Sequence, residues 1–92
     1  MAKLLRADGT SVDVQPKNSK NFKRDELKSF VGGWIEVVRI NDKDILVINE
    51  EAKLVGLPMN VQATELVSNN LIPGDYIAGD ALICQDDGTE IV

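Results

Sequence analysis

The sequence predicts an α+β fold, with a small mixed or mostly antiparallel sheet of about five or six strands and two helices. Short apolar runs alternate with turn-forming Gly, Pro, Asn and Asp residues along the chain, which is typical of short strands joined by tight connections. Two segments, residues 22–31 and the stretch after Asn60, instead space their apolar residues as one face of a helix. At this length, we expect residues 1–92 to form a single small domain.

The first predicted element is a β-hairpin. Asp8-Gly9 lies between two strand-like runs, and this dipeptide suits the positive φ that a two-residue hairpin turn requires at both central positions. Val12 and Val14 would share one face of the second strand. We expect Leu5 to be their partner on the first strand.

A helix is predicted next, over residues 22–31. Asn21 is its candidate N-cap, because a short amide side chain accepts hydrogen bonds from the free N–H groups of the first turn. Gly32-Gly33 is its predicted end, since a glycine after the last helical residue adopts the left-handed conformation without steric cost.

The central element is an antiparallel hairpin of two strands, residues 34–40 and 45–48, joined by a polar turn. The second strand is the continuous apolar run Ile45-Leu46-Val47-Ile48, which indicates a strand covered on both faces. Trp34 starts the first strand. Because the chain has only four aromatic residues, burial of Trp34 in the core is the favoured interpretation, and an exposed contact surface is the alternative.

The second helix follows Asn60, which is its candidate N-cap. Four of its apolar residues are available for burial: Val61, Ala63, Leu66 and Val67. Pro73-Gly74-Asp75 predicts a turn, and residues 81–84 read as a further strand. Asp86-Asp87-Gly88 predicts a last hairpin turn, with a short strand over residues 89–92. A sheet with one helix-covered face would bury this pattern.

Composition excludes several classes of function. The chain has no histidine and one cysteine, so Ser-His-Asp and Cys-His nucleophilic machinery and a zinc site are not expected. We therefore expect no enzymatic activity, no metal and no cofactor. A lone Cys84, in an apolar run, forms no intrachain disulfide and indicates a reducing compartment.

The net charge of −5 is unevenly distributed. Residues 1–30 carry seven basic and four acidic side chains, residues 31–70 carry three and six, and residues 71–92 carry none and five. An acidic chain is a poor match for nucleic acid, whose phosphates require a positive face. No apolar run reaches the roughly 20 residues that span a bilayer, and Arg6 and Asp8 interrupt the start of a signal peptide. A cytoplasmic protein without a membrane segment is expected.

Two sets of residues are candidates for binding. The first set lies around the central hairpin and could contact a ligand or a partner: Trp34, Glu36, Asn49, Glu50, Glu51 and Asn60. The second set is an acidic patch: Asp75, Asp80, Asp86, Asp87 and Glu90. Adjacent residues on an extended chain point to opposite faces, so only one of Glu50 and Glu51 would pair with Glu36. Asn49 and Asn60 could instead fasten their loop through bonds to the backbone.

Four motifs in this order resemble a small family of domains of unknown function found mostly in bacteriophages, conjugative elements and their hosts. They are Val31-Gly32-Gly33-Trp34-Ile35-Glu36, Asn49-Glu50-Glu51-Ala52-Lys53-Leu54, Leu57-Pro58-Met59-Asn60 and Ile77-Ala78-Gly79-Asp80-Ala81-Leu82. Ala52 departs from the glycine that is usual in the family. The resemblance implies an origin in a phage or mobile element, and it implies no activity.

Three functions are compatible with the sequence. The first is a non-enzymatic binding module that acts on a host protein, with the acidic patch meeting a basic surface. The second is a binder of a small molecule such as a nucleotide signal, with a pocket at a subunit interface formed by residues 17–28, Trp34 and the loop 49–60. The third is a carboxylate- and metal-dependent enzyme using Glu36, Glu50 or Glu51.

Overall fold

The structure, a computed structural model, describes residues 2–18 and 22–85. Its elements follow in the order β1 (Ala2–Leu5), β2 (Ser11–Val14), α1 (Arg24–Val31), β3 (Ile35–Arg39), β4 (Asp44–Asn49), α2 (Val61–Val67), a 3₁₀ turn (Ser68–Asn70) and β5 (Ala81–Gln85). The strands form one sheet in the order β2-β1-β5-β4-β3, and each described pairing is antiparallel. The predicted α+β fold is confirmed.

Three sequence predictions lie outside the described residues. They are the cap at Asn21, the turn Asp86-Asp87-Gly88 and the strand over residues 89–92. Among the described elements, neither helix has the length and apolar character needed to cross a bilayer.

Both faces of the sheet are covered, and β4 is buried on each. Ile45 and Val47 pack in one core cluster with residues of α1, and Leu46 and Ile48 pack in a second cluster with residues of α2. The prediction of a strand covered on both faces is confirmed. The prediction of a single helix-covered face was wrong, because a run of four aliphatic residues on a strand needs an apolar cover on either side.

The partner predicted for β2 was also wrong. Val12 lies opposite Leu4 in the β1–β2 register, and Leu5 points to the other face, into the cluster that contains α2. The reason is the alternation of side chains along β1, which sends neighbouring residues to opposite faces. Val12 itself is 39% exposed.

Helix α1 begins at Arg24, with Lys23 at its N-cap position. The carboxylate of Glu26 accepts hydrogen bonds from the backbone N–H of Lys23 at 3.1 Å and of Lys17 at 3.0 Å. The helix ends at Gly32, whose φ of 82° is left-handed. The predicted glycine stop is confirmed, and Glu26 ties the incoming chain to the first turn.

Helix α2 is capped by Asn60, as predicted: its Oδ1 accepts from the backbone N–H of Ala63 at 3.0 Å. Ala63 and Val67 are fully buried, whereas Val61 and Leu66 are 55% and 42% exposed. Burial of the last two residues was wrongly predicted. A helix of seven residues presents one narrow stripe to the sheet, and residues four apart, such as 63 and 67, share that stripe.

Candidate functional site

A cavity of about 240 Å³ lies where β3 and β4 meet the loop that follows β4 and the segment before β5. Its apolar lining consists of Val38, Ile48, Ala52, Leu71, Ile77 and Ala78. The rest of its lining is formed by Glu36, Asn49, Glu50, Lys53, Leu54, Asp75 and Tyr76. We call this depression the acidic cavity, because its lining contains three carboxylates and one ammonium group.

The hairpin register brings Glu36 and Glu50 to the acidic cavity. Glu36 lies opposite Ile48 in the β3–β4 ladder, and the backbone N–H of Glu50 donates to the Trp34 carbonyl at 2.8 Å. Glu50 is two residues beyond Ile48, so both carboxylates are on the face that Ile48 occupies. Both are exposed to water. Glu51, the neighbouring residue, is not among the lining residues.

The amide of Asn49 holds the turn that carries Glu50. Its Nδ2 donates to the carbonyl of Val31 at 3.2 Å, and its Oδ1 accepts from the backbone N–H of Glu51 at 2.8 Å. The Asn49 carbonyl also accepts from the backbone N–H of Ala52 at 3.2 Å. These bonds join the end of β4 to the end of α1, as expected for a side chain that fastens its loop.

Lys53 and Asp75 form an ion pair in the lining of the acidic cavity. The Lys53 ammonium also lies 4.5 Å from the centroid of the Tyr76 ring. The Asp75 carboxylate accepts a second hydrogen bond, from the backbone N–H of Tyr76 at 2.8 Å. The bond from Lys53 and then that from Tyr76 lower the pKa of Asp75 from its usual value, so Asp75 stays ionised at neutral pH.

The charges of the acidic cavity sum to −2, because Lys53 and Asp75 cancel while Glu36 and Glu50 add. Two exposed carboxylates attract a cation by charge. The apolar hollow beside them offers a place to bury the methylene groups of a Lys or Arg side chain. Within residues 2–18 and 22–85, no three His, Cys, Asp or Glu side chains are grouped to hold a metal ion.

Trp34 and Asn60 lie elsewhere. Trp34 is 58% exposed, so the favoured interpretation of core burial was wrong. Its ring lies under Lys28 of α1, with the ammonium 3.9 Å from the ring centroid, and it does not line the acidic cavity.

Asn60 is fully buried, and its Nδ2 donates to the carbonyls of Leu5 and Gly79, each at 2.9 Å. The Asn60 side chain therefore makes its hydrogen bonds within the protein and is not open to a ligand or partner.

The predicted acidic patch is divided by the structure. Asp75 lines the acidic cavity, whereas Asp80 accepts a 2.9 Å hydrogen bond from the backbone N–H of Ala7 and ties the end of β1 to the start of β5. The other predicted members, Asp86, Asp87 and Glu90, lie outside the described residues.

Sequence reasoning did not single out Lys53, Leu54 or Tyr76 as site residues, although the first two lie in the loop 49–60 that the small-molecule alternative used. Leu54 carried a usable signal: it is an aliphatic residue in a loop closed by Gly56 and Pro58, where neither a helix nor a strand is present to bury it. It is 84% exposed, and the adjacent Val55 is 64% exposed. Lys53 and Tyr76 carried no local signal, since their contact joins segments that are distant in the sequence.

Residues 3–92 match the family model described as a domain of unknown function, DUF3846. No curated protein and no solved structure gives a significant match to the chain. Since the family match covers almost the whole sequence, the chain belongs to the DUF3846 family.

Proposed function

We propose that this member of the DUF3846 family is a non-enzymatic binding protein that holds a partner protein at the acidic cavity. The observation that carries the proposal is the exposure of Leu54, 84%, beside an apolar hollow. Ile72, next to the lining residue Leu71, is 75% exposed. Exposed aliphatic side chains beside a concave surface are typical of protein recognition sites.

Charge defines the partner's chemistry. Glu36 and Glu50 give the acidic cavity its net negative charge, and both are exposed. A partner that presents Lys or Arg between aliphatic residues would satisfy these carboxylates and cover Leu54 at the same time. Complementary charge of this kind speeds association and selects the partner.

The two other functions have less support. The small-molecule alternative relied on Trp34 as part of its pocket, and Trp34 does not line the acidic cavity. A carboxylate- and metal-dependent enzyme would hold its metal with several grouped carboxylates. Within residues 2–18 and 22–85, no three such side chains are grouped around Glu36 and Glu50.

The proposal extends to the biological setting. The four motifs resemble a family of phages and mobile elements, which supports an accessory protein that acts on a host protein in the cytoplasm. The absence of histidine and the single cysteine are consistent with binding rather than catalysis.

Affinity capture from a lysate of the source cells tests the proposal. Leu54→Ser and the pair Glu36→Lys with Glu50→Lys should each reduce recovery of the captured protein at least tenfold. Val61→Ser and Glu65→Lys are matched controls, because both change exposed residues of α2 outside the acidic cavity. The proposal is wrong if the site variants and the controls recover the same proteins in the same amounts.

A further inference from the structure

Strand β3 is an edge of the sheet, and the direction of its backbone groups can be worked out. The N–H of Ile40 donates to Asp44 at 3.0 Å, and the carbonyl of Trp34 accepts from Glu50 at 2.8 Å, so both residues pair with β4. Backbone groups alternate in direction along an antiparallel strand. Those of Ile35, Val37 and Arg39 therefore point away from β4, toward the open edge.

The 3₁₀ turn covers one end of this edge. The side-chain Nδ2 of Asn70 donates to the Arg39 carbonyl at 2.7 Å, which agrees with the direction deduced for that group. Elsewhere in residues 2–18 and 22–85, no hydrogen bond is made to the outward backbone groups of Ile35 and Val37. Edge strands of monomeric proteins are usually covered, charged or bent. Among the described residues, the cover reaches only Arg39 and leaves the outward groups of Ile35 and Val37 open.

A groove of about 620 Å³ follows the open edge and continues into the acidic cavity. It is lined by residues 36–42 together with Asn70 and Leu71. Three of its residues, Glu36, Val38 and Leu71, also line the acidic cavity. A chain lying along β3 would therefore reach the acidic cavity with the side chains on one of its faces.

We propose that an extended segment of the partner protein adds to β3 as a further strand, with alternate Lys or Arg side chains reaching Glu36 and Glu50. The inference rests on the proposed function and specifies its binding mode. Main-chain bonds to Ile35 and Val37 supply affinity in such strand addition, and alternate side chains supply specificity. The other face of the added strand would meet Val37, which is 42% exposed, and so favours a β-branched residue there.

Charge selects a basic segment over a second copy of this chain. The groove and the acidic cavity together are lined by Glu36, Asp42, Glu50 and Asp75, against Arg39 and Lys53. Lys53 is paired with Asp75. The Arg39 guanidinium is turned to the carbonyls of the β3–β4 turn, at 3.2 and 3.4 Å. A second copy would bring β3 with the same acidic residues.

Val37→Pro tests the inference, because proline removes one outward N–H of β3 and leaves the β4 ladder intact. Asp13→Pro is the matched control on the opposite edge of the sheet. The N–H of Arg6 donates to Thr10 at 2.8 Å, so by alternation in the β1–β2 register the groups of Asp13 point outward from β2. Circular dichroism and thermal unfolding establish that both variants are folded.

The binding probe is a library of short random peptides selected on the full chain. Selected peptides should alternate basic with apolar residues. Their affinity should fall at least tenfold for Val37→Pro and stay unchanged for Asp13→Pro. In the wild-type chain, hydrogen exchange of the Ile35 and Val37 amides should slow on peptide binding, which requires no variant.

The outcomes separate the two proposals. Strand addition is overturned if peptides bind Val37→Pro as tightly as the wild-type chain, or if exchange at the Ile35 and Val37 amides does not slow on binding. The acidic cavity remains the binding site in that case if Leu54→Ser loses binding. A wild-type dimer that Val37→Pro dissociates also overturns the inference, because the strand's partner would then be a second copy. Failure of the wild-type chain to bind any peptide or lysate protein overturns both.

Discussion

Asn60 and Leu5 are 55 positions apart in the sequence and are joined by a 2.9 Å hydrogen bond, from the side-chain Nδ2 of Asn60 to the Leu5 carbonyl. The same nitrogen donates to the carbonyl of Gly79, and the Oδ1 accepts from the backbone N–H of Ala63. One buried amide therefore joins the end of β1, the start of α2 and the segment before β5. These are the elements that hold the second core cluster against the sheet.

Asn60→Asp should destabilise the protein by about 3 kcal/mol or more. The change keeps the cap acceptor but removes both donors, and it leaves a buried carboxyl group facing two carbonyls. Asn60→Ala should cost about 2–4 kcal/mol through loss of the cap and of both bonds. Chemical denaturation measures both. Asn69→Ala, at an exposed position, is the control and should stay within about 0.5 kcal/mol; equal stability of Asn60→Asp and this control would contradict the prediction.

The features that could be predicted from the sequence are those that depend on residues close together in the chain. The buried strand β4 follows from four consecutive aliphatic residues, and the acceptor role of Asn60 follows from its place before a helix. The two carbonyls that accept its donor bonds, those of Leu5 and Gly79, cannot be predicted in this way, because they come together only after the sheet is assembled. Similarly, the placement of Glu36 and Glu50 on one face follows from the register of a hairpin, whereas the Lys53–Asp75 ion pair depends on packing between distant segments.

Trp34 shows the limit of composition as a guide to burial. Because the chain has only four aromatic residues, Trp34 was expected in the core. The α1 side of the sheet is instead filled by Phe22 and Phe30, whose rings meet edge to face at 6.0 Å. Trp34 follows the glycine end of α1 and lies outside that packing. Which aromatic residues fill a core is set by the three-dimensional packing, and the sequence pattern does not specify it.

Gly33 and Asn49 should show coupled effects on stability. A Cβ added at Gly33 would lie 3.1 Å from the Asn49 Nδ2, which already donates to the Val31 carbonyl. Gly33→Ala should therefore cost about 1–2 kcal/mol in the wild-type chain and less than half of that when Asn49 is alanine. A double-mutant cycle by urea unfolding measures the coupling. Additive effects would show that the Asn49 amide moves aside without cost.

Glu26 should contribute to the acid sensitivity of the fold. Hydrogen bonds from the backbone N–H groups of Lys17 and then Lys23 lower the pKa of Glu26 below its usual value of about 4.5. The unfolded state therefore takes up this proton first, and the stabilisation, present above pH 4.5, is lost as the pH falls through the lower folded pKa. Glu26→Gln should flatten the fall in unfolding free energy below pH 4.5. Glu65→Gln, on an exposed face of α2, should leave the profile unchanged; a slope unaffected by Glu26→Gln would contradict the assignment.

Lys28 should shield the only tryptophan from solvent. Its ammonium lies 3.9 Å from the centroid of the Trp34 ring, while the side chain of Trp34 remains more than half exposed. Lys28→Ala should raise acrylamide quenching of Trp34 fluorescence and cost about 0.5 kcal/mol of stability, whereas Lys28→Arg keeps a cation over the ring and should preserve both. Lys43→Ala, in the exposed β3–β4 turn, is the control. Since the chain has a single tryptophan, the signal belongs to this contact alone, and unchanged quenching in Lys28→Ala would mean that the ring and the ammonium do not stay together in solution.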